Sequence, residues 1–253
     1  NDAAADDHVL IWDGTSWGNE LTLDTSGTAE SDQSAISVAF EAQSGNAMVM
    51  YGKDADADVY YRVWDGYLWA DEASLTAAAG VTGEARWITT ATDMTSDRIA
   101  VGVTTSASEA WVAIWNGSSW DTPLEAGTAT TGLIYPNLAV SFEHTTGHAL
   151  ATYGEGTQTT LQYRTWDIDN GWSSVQTGPD LGAVPNSMTL DSGPTSDQIM
   201  LSVQDANSDL HYIAWNGSSW EADNILSFDT GEVKNQPFTF IYDQDGMLVE
   251  PNA

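Results

Sequence analysis

The sequence has few basic residues and no cysteine. Its 253 residues include six Lys and Arg side chains against 37 Asp and Glu, which gives a formal net charge of −31. Such a charge repels phosphate backbones and anionic lipid surfaces, so it excludes nucleic acid as a partner. The absence of cysteine excludes disulfide bonds, thiol catalysis and cysteine-ligated zinc.

Long apolar runs are also missing. No stretch approaches the roughly 18 residues that a membrane span requires, so we predict that this chain does not insert into a bilayer. The composition, rich in Ala, Thr, Ser, Gly and Asp but poor in lysine, is typical of exported proteins. The first residue is Asn1 rather than Met, which suggests a processed export product or part of a longer polypeptide. We therefore expect an extracellular or cell-surface location.

A short motif, Trp-[Asp/Asn]-Gly-x-x-Trp, recurs along the chain. Its four copies, together with a fifth that has one extra turn residue (WDIDNGW), begin 49–52 residues apart, at Trp12, Trp64, Trp115, Trp166 and Trp215. This period is the length of one four-stranded propeller blade. We interpret the five tryptophans as structural, in a hairpin whose Asp-Gly or Asn-Gly pair tolerates the positive φ of a type I′ turn.

The segments around the motif predict four strands in each repeat. An alternating segment such as 35–40 is followed by an apolar run such as 47–52, and these are typical of an innermost strand and a buried second strand. The third strand runs into the Trp motif, and the second Trp of the motif is expected to open the outer strand. Acidic residues and proline on the outer strands protect that edge from pairing with other chains.

The two ends of the chain complement each other. Residues 8–25 read as a third and fourth strand, and residues 235–253 read as a first and second strand. We therefore predict one domain over residues 1–253: an all-β, five-bladed β-propeller of four-stranded antiparallel blades, closed by pairing of the N-terminal strands with the C-terminal strands. The blades are expected at approximately 34–77, 85–127, 136–178, 186–228, and 235–253 plus 8–25.

The Trp hairpin resembles that of the bacterial and fungal fucose-binding propeller lectins, which have a similar Trp-Asp-Gly-x-Gly-Trp turn. The predicted blade count is similar to that of the tachylectin-like lectins. The resemblance implies a propeller fold and glycan binding. In the fucose-binding family an acidic residue three positions before the first Trp and an arginine on the preceding strand hold the sugar. The corresponding acidic position holds Val9, Tyr61, Val112, Tyr163 and Tyr212 in this chain.

Two acidic loops are candidates for a cation site. Carboxylates alternate in the loop between a second and a third strand, and again in the long turn before Trp172. Oxygen ligands at such positions suit Ca²⁺, whereas hydrated turns explain the same pattern without a metal. The candidate ligands are Asp54, Asp56, Asp58, Asp167 and Asp169.

Catalysis is not predicted. The predicted innermost strands contain one carboxylate, Asp191, whereas glycosidase chemistry requires two carboxyls roughly 5–10 Å apart. The metalloprotease, nucleophile-elbow and P-loop motifs are absent. We predict that the chain is not an enzyme, and we keep a five-bladed glycosidase-like enzyme as the third hypothesis.

The loops that lead from each outer strand to the next inner strand form one face of the predicted disc, here called the loop face. These loops differ between blades, which favours a single site at the channel mouth, or a protein-binding surface, over five equal sites. The candidate ligand-binding residues are Arg86, Trp87, Tyr135, Asn137 and Asn186.

The main prediction for function is an extracellular, non-catalytic interaction domain of a prokaryotic surface layer, adhesin or extracellular filament. Its partners are expected to be protein subunits or extracellular glycans. The alternative is a glycan-binding propeller lectin, in which exposed Trp and Tyr rings stack on sugars.

Overall fold

The computed structural model describes residues 7–25, 34–130, 135–222, 224–227 and Tyr242. The regular structure in these ranges is a two-stranded hairpin followed by four antiparallel sheets. The all-β class and the repeat of four-stranded sheets are therefore confirmed. Over the same ranges, no helix has the length and apolar character needed to cross a membrane.

The strands follow the predicted order. The N-terminal hairpin consists of β1 (Asp7–Trp12) and β2 (Trp17–Asp24). Blade 1 contains β3 (Ile36–Phe40), β4 (Ala47–Tyr51), β5 (Val59–Trp64) and β6 (Ala73–Leu75). Blade 2 contains β7 (Ala85–Thr92), β8 (Ile99–Thr105), β9 (Ala110–Trp115) and β10 (Leu124–Gly127).

The next two blades have the same order of strands. Blade 3 contains β11 (Leu138–Phe142), β12 (Ala149–Tyr153), β13 (Thr160–Asp167), β14 (Gly171–Trp172) and β15 (Gln176–Asp180), with β14 and β15 both paired to β13. Blade 4 contains β16 (Pro185–Ser192), β17 (Ile199–Asp205), β18 (Leu210–Trp215) and β19 (Asn224–Ser227). The second strands β4, β8, β12 and β17 are buried along their whole length, as their apolar runs predict.

The turn of the Trp hairpin is not the predicted type I′ turn. Its glycine has positive φ, for example +95° at Gly117, but the preceding Asn116 does not. Instead, Asn116 Oδ1 accepts hydrogen bonds from the backbone N–H groups of Ser118 and Ser119, both at 3.0 Å. The Asp or Asn of the motif is therefore present for its side-chain oxygen, which caps a longer turn.

The outer strands begin later than predicted in blades 1, 2 and 4. There the second Trp of the motif forms an isolated bridge to the first Trp, as between Trp115 and Trp120, and the outer strand starts four residues further on. The two indole rings of the blade 2 hairpin lie 5.4 Å apart and are tilted by 57°. The two tryptophans therefore hold the end of the hairpin together through a backbone bridge and a ring contact.

The first strands of the blades lie next to one another, with β3 beside β7, β7 beside β11 and β11 beside β16. Residues of β7, β11 and β16 line a common cavity, which is here called the central channel. At Gly102 of β8, Leu138 of the next blade approaches so closely that an added Cβ would lie 2.8 Å from its Cδ2 atom. Glycine is required there because any side chain would push the two blades apart.

The blades dock in pairs, a regularity longer than the repeat predicted from the motif. Ile88 N–H donates to Ser34 O between blades 1 and 2, and Met188 N–H donates to Pro136 O between blades 3 and 4, both at 3.1 Å. Asp97 and Asp197 likewise each accept two backbone N–H groups from the first hairpin of the preceding blade. The packing unit is thus two blades, about 100 residues long.

A buried carboxylate joins the members of each pair. Glu41, 2% exposed, accepts a hydrogen bond from Trp115 Nε1 at 2.6 Å, and Glu143, 3% exposed, accepts one from Trp215 Nε1 at 2.7 Å. Ser44 and Asn46 also donate to Glu41. A buried charge is tolerated when several donors satisfy it, so these bonds fix the angle between neighbouring blades.

The predicted fifth blade lies mostly outside the described residues. Its C-terminal part, 235–253, is described only at Tyr242, whereas β1 and β2 pair as the predicted third and fourth strands.

The stability of Trp variants tests the structural role of the hairpins. Trp115 is 7% exposed and hydrogen-bonded, whereas the equivalent Trp12 is 51% exposed. Trp115→Ala is expected to lower the free energy of unfolding by about 3–5 kcal/mol, because it removes a large buried aromatic side chain. Trp12→Ala is the matched control, with a much smaller expected loss. Equal urea midpoints for the two variants would contradict the structural interpretation of Trp115.

Candidate functional site at the central channel

The clefts beside the Trp hairpins of blades 2 and 4 are filled by protein. Tyr61 of blade 1 packs edge-on against both tryptophans of the blade 2 hairpin, with ring centroids 5.9 Å from Trp115 and 5.8 Å from Trp120. Tyr163 makes the same contacts with Trp215 and Trp220. These tyrosines hold the position at which the lectin resemblance implies an acidic sugar ligand, so these two clefts are packed with aromatic rings instead.

The hairpin of blade 3 meets a cation. The guanidinium of Arg98 lies 5.6 Å from the centre of the Trp166 ring, and it pairs with the fully buried Asp93 at 2.7 Å. Burial opposes ionisation of Asp93, but hydrogen bonds from Ser96, Thr95 and Arg98 hold its pKa below the usual value. This aromatic face is therefore also occupied by the neighbouring blade.

Open space lies instead in the central channel. A cavity of about 320 Å³ is lined by residues 87–90 of β7, 138–140 of β11 and 188–191 of β16, together with Ser34, Gly102 and Pro136. This volume falls in the range of small-molecule sites, about 300–1,000 Å³. Trp87 and Met188 stand nearer the loop face, and Thr90 and Asp191 lie three residues further along their strands.

Two polar atoms of residues that line this cavity have no hydrogen-bond partner among the described residues. Trp87 Nε1 and Thr189 Oγ1 are buried without a hydrogen bond, although both residues line the cavity. Most buried polar groups are paired with protein or water, so these two are available to water or to a ligand. Thr90, by contrast, is already hydrogen-bonded to Ser37 at 2.7 Å.

Asp191 is the carboxylate of the cavity wall in the described part of the chain. Burial raises its pKa to about 6, and no hydrogen bond or ion pair to described residues offsets that cost. Asp191 interacts with Tyr242, whose own pKa is raised by burial first and then by the negative charge of Asp191. A partly buried acid without a partner, inside a cavity, marks a candidate functional site.

The cations of the described ranges are engaged elsewhere. Lys53 pairs with Glu72 at 2.8 Å, Arg86 pairs with Glu84, and Arg98 pairs with Asp93. Arg62 and Arg164 donate to backbone carbonyl groups. No described Lys or Arg is therefore paired with Asp191.

The five predicted loop-face residues differ in their surroundings. Trp87 lines the cavity, and Tyr135 is partly exposed with its carbonyl accepting from Asn137 N–H. Asn137 is fully buried and Asn186 is 8% exposed, so both lie below the surface. Arg86 is held by Glu84, which also accepts Ala55 N–H. The structure thus brings one of the five to the cavity, and ligand binding by the others stays a prediction.

The carboxylates of the acidic loops organise turns. Asp56 accepts hydrogen bonds from Asp58 N–H and from the Tyr60 hydroxyl, and the Tyr60 bond raises the pKa of that phenol to about 12. Asp58 in turn accepts Ala77 N–H.

The turn before Trp172 uses its acid in the same way. Asp167 accepts from the backbone of Asp169 and from Asn170, and the Asn170 side chain is the main cause of its lowered pKa. Throughout the described ranges, no three His, Asp or Glu side chains are grouped to hold a metal ion. A Ca²⁺ site involving Asp54 or these residues stays a prediction.

The sequence identifies two of the key cavity residues but does not predict that they line the same cavity. Trp87 is predictable as a loop-face residue and Asp191 as the inner-strand acid, yet nothing in the motif relates positions two blades apart. Thr189 was missed because a threonine in a strand is ordinary. The available signal was register: each of the three residues belongs to an innermost strand, and such strands share one channel.

The chain matches no protein-family model and no curated protein in sequence. Its fold, however, matches solved propeller lectins. The fungal lectin from Aleuria aurantia, described as a six-bladed β-propeller with a novel fucose recognition mode, is 16% identical with a TM-score of 0.56; the match covers 88% of this chain and 71% of that one.

Two further solved structures match with a TM-score of 0.57. AofleA from Arthrobotrys oligospora is 13% identical, with 88% of this chain and 66% of that chain covered. The BP39L lectin from Burkholderia pseudomallei is 14% identical, with 88% and 67% covered. At these identities the likeness concerns the fold, and it shows that this chain has the blade architecture of the propeller lectins.

Proposed function

We propose that this protein is an extracellular glycan-binding protein that holds its ligand in the central channel, with the loop face as the entrance. The observation that carries the proposal is the channel cavity of about 320 Å³, which is lined by the indole of Trp87, the hydroxyl of Thr189 and the carboxyl of Asp191. Among the described residues, Trp87 Nε1 and Thr189 Oγ1 have no hydrogen-bond partner. This combination suits a sugar. An aromatic ring stacks on the C–H face of the sugar, while polar groups accept hydrogen bonds from its hydroxyls or donate hydrogen bonds to them.

The comparison with solved structures also supports glycan binding. The neighbours described above are lectins, which favours the glycan-binding alternative over a surface-layer, adhesin or filament domain. The neighbours also favour binding over catalysis. Among the described residues of the cavity wall Asp191 is the only carboxylate, so the described wall has no carboxyl pair for glycoside hydrolysis.

The proposed site differs from the one that the hairpin resemblance implies. At two blade interfaces the tryptophans pack against Tyr61 and Tyr163, and at a third interface Trp166 packs against Arg98. A single site in the channel also agrees with loops that differ from blade to blade. One ligand per protein, rather than one per blade, is therefore part of the proposal.

The proposal for the architecture is a five-bladed ring in which residues 8–12 share a blade with residues 238–250. It rests on five copies of the Trp hairpin in the sequence. Because blades 1 to 4 dock as two similar pairs, a fifth blade requires a junction of another kind on each of its sides.

A glycan array followed by calorimetric titration of the best ligand tests the function. Trp87→Ala is expected to weaken binding at least about tenfold, since it removes the stacking surface. Trp17→Ala is the matched control: Trp17 is 66% exposed, lies outside the cavity, and is the kind of residue that a surface stacking site would use. An array without any bound glycan would contradict the proposal, as would loss of binding in the Trp17 variant alone.

Deletion of residues 1–24 tests ring closure. It removes both strands of the N-terminal hairpin, β1 and β2, which would leave the strand predicted to pair with them with unpaired backbone groups and an exposed edge. The expected result is a melting temperature lowered by several degrees, measured against a control that lacks only residues 1–6. An unchanged melting temperature would show that the ring does not depend on these strands.

A further inference from the structure

The cavity is lined by an aromatic ring and by an acid that lie at different depths along their strands. Trp87 and Asp191 both line this cavity. Ile88 and Met188 occupy equivalent places in their blades, since each donates its N–H to the blade before it. Ser187 is therefore the equivalent of Trp87, and Asp191 lies four residues further along its strand. At about 3.3 Å per residue, four residues correspond to a depth of roughly 13 Å. A ligand that contacts both side chains must therefore extend along the channel axis.

From this geometry we infer that the channel selects a saccharide with a free primary amine, whose ring stacks on Trp87 while its ammonium group pairs with Asp191. The inference rests on the proposed function, because it names the ligand class of the same site. An amino sugar in a short β-linked chain satisfies both requirements: it is long enough, and it carries a positive charge beside a hydroxylated ring.

The charge of the cavity supports an ammonium group over an anionic or purely neutral ligand. Every described Lys and Arg is bound to another acid or to a carbonyl group, as shown above, so Asp191 has no cation from the described residues. The net charge of −31 adds a long-range attraction for cations and repels acidic sugars. A charge-assisted hydrogen bond in a water-poor cavity is stronger than a neutral one.

The surroundings of Asp191 determine the pH dependence. The described wall residues from β7 and β11 are uncharged, and Tyr242 is the described titratable group that interacts with Asp191. The pKa of Tyr242 is raised, so that phenol keeps its proton at neutral pH. Because burial raises the pKa of Asp191 to about 6, its carboxylate fraction increases between pH 5 and pH 7. Amine binding is expected to strengthen over that interval, roughly tenfold.

The experiment compares two ligands that differ only by acetyl groups. The β-linked glucosamine disaccharide and its N-acetylated form are titrated into the protein by calorimetry at pH 5 and pH 7. The wild type is expected to bind the amine form about tenfold or more tightly at pH 7, the effect of one charge-assisted hydrogen bond. Asp191→Asn is expected to remove this preference and its pH dependence while leaving the N-acetylated form bound as before.

Asp71→Asn is the matched control. Asp71 is an exposed acid outside the cavity, so its loss changes the net charge by the same amount without altering the site. Equal binding of both disaccharides by the wild type, or an equal effect of the two Asp→Asn variants, would overturn the inference and leave glycan binding intact. Absence of binding for these and for all other sugars would instead contradict the proposed function itself.

Discussion

The bond between a buried carboxylate and an indole N–H is the constraint on which the arrangement of the blades depends. Glu41 reaches Trp115 across one interface and Glu143 reaches Trp215 across another, with distances of 2.6 and 2.7 Å. An ionised carboxylate inside a protein is costly unless its oxygens are satisfied, so the neighbouring blade must supply its donor at the correct place. The Trp hairpins of blades 2 and 4 thereby set the positions of blades 1 and 3.

This constraint decides where a ligand can bind. The indole rings of these hairpins also contact Tyr61 or Tyr163 of the adjoining blade, so the indole rings are covered by protein. At these interfaces the hairpin repeat is used for internal packing. The first strands, held at a fixed distance by the docked blades, enclose a cavity with its own aromatic ring and its own acid.

The sequence predicts the strands and the period because both arise from local patterns, namely alternation and the Trp motif. It does not predict the pairing of blades, since that pairing depends on contacts between residues 72–74 positions apart, such as Glu41 with Trp115. A signal was present in the identical WNGSSW hairpins of blades 2 and 4 and in the related Phe-Glu segments at 40–41 and 142–143. The sequence also does not predict that Asp191 lacks a hydrogen bond or ion pair with the described residues. A sequence pattern does not show which side chains lie next to each other in the fold.

The most direct test of the account is ¹⁹F NMR of protein labelled with 5-fluorotryptophan, titrated with a bound glycan. The twelve tryptophans give separate probes of the channel and of the hairpins, and single Trp→Phe variants assign them. The account predicts that the Trp87 signal shifts on binding while those of Trp115 and Trp215 do not. Shifts at the hairpin tryptophans with an unchanged Trp87 signal would contradict it, because the ligand would then lie between the blades.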